Sequence, residues 1–233
     1  MKERKIIVTS DGSHTLFIPG LNEQYHSVHG AVQESQHVYI DAGLKNCEKD
    51  EISVFEMGFG TGLNALMTFQ YALRKRKKIN YYCIEKYPLS EEEYILLNYA
   101  NQLKINERGI FKKMHELKNG ESLQITDYFR LTKFISDIKD FKFSFNFDVC
   151  FFDAFAPDIQ PGLWTSKIFS KLFEAMNEGG ILTTYSAKGI VKRNLQHAGF
   201  KVEKLPGPPG KREIIRAGLQ SSVFSKLSTV GSR

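Results

Sequence analysis

The chain has 233 residues, with 32 Lys+Arg against 26 Asp+Glu, a formal net charge of +6 and a pI of about 9.1. That length suits one α/β-sized domain able to bury roughly 70% of its unfolded surface around a single core, and 42% hydrophobic with 25% charged residues excludes a disordered or fibrous chain. No apolar run approaches the roughly 20 residues of a membrane span, and the start MKERKIIVTSDGS lacks the apolar stretch and cleavage site of an export signal.

Cys47, Cys83 and Cys150 are odd in number and widely spaced. They suggest neither a disulfide framework nor a zinc site, so a reducing, cytoplasmic setting is expected. The positive excess permits a nucleic-acid partner without establishing one.

Residues 1–50 carry short alternating stretches, TLFI and HVYI, broken by PG, HG and AG pairs, and read as a β-containing N-terminal extension. From Ser53 the pattern becomes regular. The run SVFEM reads as a strand, EMGFGTGLN as a tight turn, and LNALMTFQYALRKRKK as a helix, with Leu63, Leu66, Met67 and Tyr71 at helical spacing. NYYCIE is a second strand, followed by a helix in which Ser90 and Glu93 have capping-box spacing. In the middle, SLQITD resembles a strand and FRLTKFISDI a helix. FDVCFFDAFAP is an apolar strand ending at Asp153, and SKIFSKLFEAMNE a helix that Gly179 and Gly180 would stop. ILTTYS, the helix AKGIVKRNLQHAG and two strands around the stiff turn PGPPGK complete residues 51–219; residues 220–233 are expected to fray. This alternation predicts a doubly wound, mostly parallel sheet.

Ligands of such sheets bind beyond the carboxyl ends of the strands. Gly58, Gly60 and Gly62 stand there at alternate positions, where missing side chains let a ligand lie against the backbone. Glu85 ends the next strand 23 residues beyond Gly62, where a carboxylate can accept both hydroxyls of a ribose. A dinucleotide fingerprint would need glycine at position 63, which is Leu63. The turn therefore leans towards S-adenosyl-L-methionine, and Glu56 before it could face an ammonium group, whereas a pyrophosphate would be repelled. Asp153 would lie across the cleft. If a methyl group goes to an amine, the amine must first lose a proton, and Asp153 could orient its N–H groups but is a poor base at an ordinary aspartate pKa near 3.9.

EMGFGTGLN, DAFAP with PGLWT, GGILTTYSAKGIVKRNLQHAGF, GPPGKRE and GAVQESQHVYI together resemble the methyltransferase domain of the bacterial tRNA-modification enzyme MnmC and its stand-alone relatives, from about Tyr25 to Ala217. The resemblance implies a class I Rossmann-like fold and S-adenosyl-L-methionine-dependent methylation of 5-aminomethyl-2-thiouridine at the tRNA wobble position to 5-methylaminomethyl-2-thiouridine. It places Glu56, Gly58, Gly60, Thr61, Gly62 and Asn64 on the cofactor loop, Glu85 on the ribose and Asp153 in the active site. Asp127 would match the acid near adenine, although TDYF departs from the usual glycine-aspartate pair. The aminomethyl group would come from another enzyme, because the bifunctional proteins carry an FAD-dependent oxidase domain beyond the matching part.

For an RNA partner, Lys188, Lys192, Arg193, Lys211 and Arg212 are the expected phosphate contacts. The run Arg74–Lys78 is an equal match to a solvated helix end. Tyr25, His26, Phe155 and Trp164 could stack on an extruded base. His37 and His197 have no partners at metal spacing, so no metal is expected. A small-molecule amine as acceptor, or a non-catalytic RNA-binding module, remain the alternatives; oligomeric state is left open.

Overall fold

The computed structural model describes residues 3–105 and 109–219; the expected frayed tail, 220–233, lies outside the described residues. The first strands, β1 (Lys5–Val8), β2 (His14–Ile18) and β3 (Glu23–Gln24), form a small antiparallel sheet. The helix α1 (Ala31–Ser35) then runs into a wide-turned π-helical segment, Gln36–Asp41. HVYI is thus helical rather than extended: Val38, Tyr39 and Ile40 are all buried, so tertiary packing on successive residues overrides the β preference of Val and Ile.

An eight-stranded sheet follows. Its strands are β4 (Glu51–Met57), β5 (Lys78–Glu85), β6 (Ser122–Thr126), β7 (Phe129–Ile135), β8 (Phe147–Phe152), β9 (Met176–Thr184), β10 (Lys201–Pro206) and β11 (Glu213–Gly218), in the spatial order β10-β11-β9-β8-β4-β5-β7-β6. The five central strands are parallel; β6, β11 and β10 run antiparallel to their neighbours. Helices α2 (Leu63–Lys75), α3 (Glu91–Tyr94), α4 (Tyr99–Gln102), α5 (Ile110–Glu116), α6 (Ser166–Ala175) and α7 (Gly189–His197) connect them. One apolar layer, containing Leu63, Leu66, Phe69, Tyr39 and Phe129, covers one face of the sheet. A second, containing Phe55, Trp164, Phe169, Leu172 and Leu195, covers the other. The N-terminal residues share the first layer through Leu16, Ala31 and Val38. The expected α/β architecture with its mostly parallel doubly wound sheet is the observed one.

Two further expectations fail locally. FRLTKFI is the strand β7, not a helix. Its apolar residues fit either period, and pairing with β5 on one side and β6 on the other decides for the strand. The helix before β9 ends at Ala175, ahead of the glycines, because Met176–Gly180 already belongs to β9; there the register with β8 shifts between Phe147 and Val149. The capping box at α3 is present, with Ser90 N–H donating to Glu93 at 2.8 Å.

The order of β4, β5 and β7 runs one way from the sheet centre and that of β8 and β9 the other. The switch point therefore lies between β4 and β8, where Gly58 follows one strand and Asp153 the other. Among the described residues no helix is long and apolar enough to cross a membrane.

Candidate active site

Beyond the carboxyl ends of β4, β5, β7 and β8 opens a cavity of about 1150 Å³, walled by the strand ends, the N-terminal layer and the turn between β10 and β11. Ordinary small-ligand pockets measure roughly 300–1,000 Å³, so there is room for two reactants.

The turn after β4 is fixed from both sides. Gly58 and Phe59 N–H groups donate to the Ile84 carbonyl at 3.0 and 3.1 Å, and Gly60 N–H donates to Glu85 Oε2 at 2.9 Å. Glu85 Oε1 accepts Tyr87 N–H at 2.8 Å, which orients a carboxylate whose remaining lone pairs are available to ligand hydroxyls. A Cβ on Gly60, whose φ is +49°, would stand 3.1 Å from the Tyr25 ring and narrow the space between loop and N-terminal layer. His115, on α5, secures the loop from behind. Burial drives its pKa down to about 3, so its neutral ring donates from Nε2 to the Thr61 carbonyl at 3.1 Å.

Asp153 faces the loop from the end of β8. Its Oδ1 accepts the Tyr39 hydroxyl at 2.6 Å and its Oδ2 accepts the Asn64 amide at 2.9 Å. Burial is the largest influence on this carboxyl and raises its pKa to about 7, against the lowering effect of those two donors and of Lys211. Replacing Tyr39 with Phe removes a donor that favours the charged form, so the Asp153 titration is expected to move to higher pH. Carboxyl ¹³C NMR of both proteins checks this; a midpoint that stays or falls would show that the hydroxyl does not set it.

The structure brings Gly58, Gly60, Thr61, Asn64, Glu85, Asp153 and Lys211 to the cavity wall. Glu56 lies beneath its floor, fully buried, with Tyr81 and Asn64 as polar neighbours, and burial followed by the charge of Asp153 pushes its carboxyl well above the usual range. Gly62 is the N-cap of α2 and packs against His115 and Phe59. Asp127, expected near the adenine, does not line this cavity. It sits between β6 and β7 in a separate hollow with Glu51, Lys78 and Arg130, at the opposite ends of the strands. The parallel strand is β7, and its carboxyl end delivers Ser136 and Asp137, both lining the cavity. Asp137 accepts Lys86 Nζ and Lys139 N–H, each at 2.9 Å. Asp137 lies in FRLTKFISDI, which has helical spacing in the sequence but is a strand followed by a turn in the structure.

The basic residues divide. Lys188 pairs with Asp158 beside the cavity, Lys192 and Arg193 lie on α7, and Arg212 is exposed. Arg74–Lys78 spans the end of α2 and the start of β5, at the amino ends of the central strands and away from the cavity, and Lys77 donates to the Glu48 and Lys49 carbonyls. Trp164 is 2% exposed and donates to the Phe155 carbonyl at 2.8 Å, so it is core rather than a stacking surface. His26 is also buried. Tyr25 and Phe155 meet edge to face at 4.9 Å on the cavity wall. Among the described residues no cluster of His, Cys, Asp or Glu could hold a metal.

Residues 101–220, just over half the chain, match the model of the S-adenosyl-L-methionine-dependent methyltransferase family. The chain belongs to this family. The glycine turn with Glu85 at its edge fits that donor: Thr61 Oγ1 and Asn64 Oδ1 are buried at this end of the cavity with no hydrogen-bond partner among the described residues. The methyltransferase is 30% identical over 227 residues to the tRNA 5-methylaminomethyl-2-thiouridine biosynthesis bifunctional protein MnmC of Cupriavidus metallidurans, covering 89% of this chain and 33% of that one. It is 31% identical to the protein of the same name from Stutzerimonas stutzeri, covering 85% and 32%. It thus spans about a third of the length of these curated relatives. Its structure resembles that of MnmC2 from Aquifex aeolicus, with a TM-score of 0.76 and 27% identity over 95% of this chain and 72% of that one. Spermidine synthase from Thermotoga maritima, at 11% identity and a TM-score of 0.55, shares the fold over all of this chain and 76% of that one.

Proposed function

We propose that the methyltransferase moves a methyl group from S-adenosyl-L-methionine to the aminomethyl nitrogen of 5-aminomethyl-2-thiouridine at the tRNA wobble position, giving 5-methylaminomethyl-2-thiouridine. The observation that carries this reading is Asp153: a carboxyl with a pKa near 7, open to a two-reactant cavity opposite the donor loop. The names of the relatives supply the acceptor. Such a substrate places the work in the cytoplasm.

Bound, the donor supplies an electrophilic methyl carbon on a sulfonium. Glu85 would hold its ribose, Gly58, Gly60 and Thr61 its amino-acid end, and Asp137, in the place where Asp127 was expected, the adenine side. An aminomethyl group reaches neutral pH as an ammonium without a lone pair, since alkyl amines have pKa values near 10.4. Asp153 accepts one of its protons. The remaining gap of about three pKa units narrows because a dry cavity disfavours the ammonium. Tyr39 and Asn64 keep the carboxylate aimed, and Tyr25 with Phe155 offers the base an aromatic wall.

Purified protein given labelled donor is expected to label tRNA from cells lacking the native activity, at a nucleoside identified by mass spectrometry. Label confined to small amines would sink the proposal in favour of a small-molecule enzyme. Lys188, Lys192, Arg193 and Arg212 are proposed to hold tRNA phosphates. Replacing Arg193 and Arg212 together with Ala should weaken tRNA binding at all sequences and flatten the slope of log K against log salt by roughly 2; an unchanged slope would remove them from the interface.

A further inference from the structure

Lys211 does not stand where a phosphate contact should. Its Nζ lies 2.6 Å from Glu34 Oε1 and 3.9 Å above the centre of the Tyr185 ring, on the same cavity wall as Asp153. Glu34 is 6% exposed and its other oxygen accepts Ser27 N–H at 2.7 Å, so its charge is fixed beside the lysine. The turn carrying Lys211 is braced. The His29 ring packs on Gly210 so closely that an added Cβ would lie 2.1 Å from it, and His37 Nε2 donates to the Pro206 carbonyl at 2.8 Å. A cation held by a carboxylate on one side, with a second carboxylate at Asp153 close enough to feel its charge, is a poor seat for a phosphate dianion or diester. It is a good seat for a neutral acceptor, because an ammonium has three N–H donors and Glu34 satisfies few of them.

We propose that Lys211 is a specificity residue, donating a hydrogen bond to the ring carbonyl beside the carbon that bears the aminomethyl group, so that the cavity takes a uracil-type ring and rejects one carrying an amino group there. The inference rests on the aminomethyl-uridine reading above. With the aminomethyl nitrogen at Asp153, the adjacent ring carbonyl would face Lys211 on the same cavity wall. A base presenting an N–H₂ group at that position would set donor against donor and leave the ammonium unsatisfied, which is costly in a closed site.

The test uses the full chain and two anticodon stem-loop RNAs, one bearing 5-aminomethyluridine and the other 5-aminomethylcytidine. The unaltered protein should favour the uridine loop in kcat/KM by on the order of 10²-fold or more. Lys211→Met should cut that ratio at least about tenfold by slowing the uridine loop, while donor affinity and the salt slope of RNA binding stay unchanged. Because Lys211→Met leaves Glu34 buried without its cation, the pair Glu34→Gln plus Lys211→Met is measured beside it and should show the same loss of discrimination. A ratio preserved in the paired variant overturns the proposal. So does a salt slope lowered by about one phosphate, which would make Lys211 a backbone contact. If the unaltered protein methylates neither loop, the acceptor reading itself falls and this inference with it; methylation of the uridine loop with discrimination untouched by the variants removes the inference alone.

Discussion

Asp153→Asn is expected to lower kcat by roughly 10²–10⁴-fold, the usual worth of a positioned proton acceptor, while binding of the donor or its thioether product changes little. The exchange suits the site. Asn at 153 still accepts the Tyr39 hydroxyl, and a half-turn of the Asn64 amide, whose Oδ1 has no partner among the described residues, lets the new side-chain amide donate to that oxygen. The fold should therefore persist, and the sign of its pH response follows from linkage. The native carboxyl has a folded pKa of about 7, above the ordinary 3.8, so between those values the folded state holds the extra proton and stability declines as pH rises through the window. Asp153→Asn removes that decline, and its melting temperature at pH 8 should equal or exceed that of the unaltered protein. In activity the sign reverses: kcat/KM of the unaltered protein should fall as pH drops below about 7 and the base becomes protonated. Isothermal titration with the thioether product, single-turnover methyl transfer across pH and thermal melts separate these effects. Donor affinity falling in parallel with turnover would make Asp153 a cofactor-site residue instead.

Gly58→Ala is expected to be the most damaging single methyl in the loop. Gly58 has a φ of +92°, and a Cβ would stand 2.6 Å from the Asp153 carbonyl oxygen and 3.3 Å from its carbon. The dihedral alone costs about 1–2 kcal/mol for an L side chain, and the overlap with backbone adds about 1–3. Together they predict about 2–5 kcal/mol of lost stability, or a melting temperature lower by about 4–20 °C at this chain length. Moreover, relief of the overlap pushes the β8 end away from the loop, so turnover should fall along with stability. Gly179→Ala is the comparison: its φ is +74° but among the described residues nothing lies within 4 Å of the added Cβ, so only the dihedral cost remains. Melts of both variants check the difference. Equal losses would show that the contact with Asp153 is not what requires glycine at position 58.

The loop and its flanking acids were legible because they are local. A strand, a glycine turn and a helix place Gly58, Gly60, Thr61 and Asn64 within one short segment, and Glu85 within the next strand. Asp153 was legible for the same reason, as the residue ending an apolar run. Asp137 was not, because FRLTKFI satisfies helical and extended periods alike and only pairing with β5 selects the strand that exposes it. Tyr39 was hidden more deeply. HVYI reads as an exposed-buried alternation, but packing turned it into a π-helical segment, and its partner Asp153 lies 114 residues away.

From the letters alone came the alternation that makes a doubly wound sheet, the donor turn and the carboxylates at the strand ends, since each depends on chemistry within about one element's length. Which cations face the cavity, which acid closes its far side and how strongly Asp153 holds its proton were decided only when the chain closed on itself. Lys211 and Glu34 are far apart in sequence, and a carboxyl's affinity for a proton follows from the water and charges that distant segments exclude or supply. Periodicity carries no record of those distances; packing does.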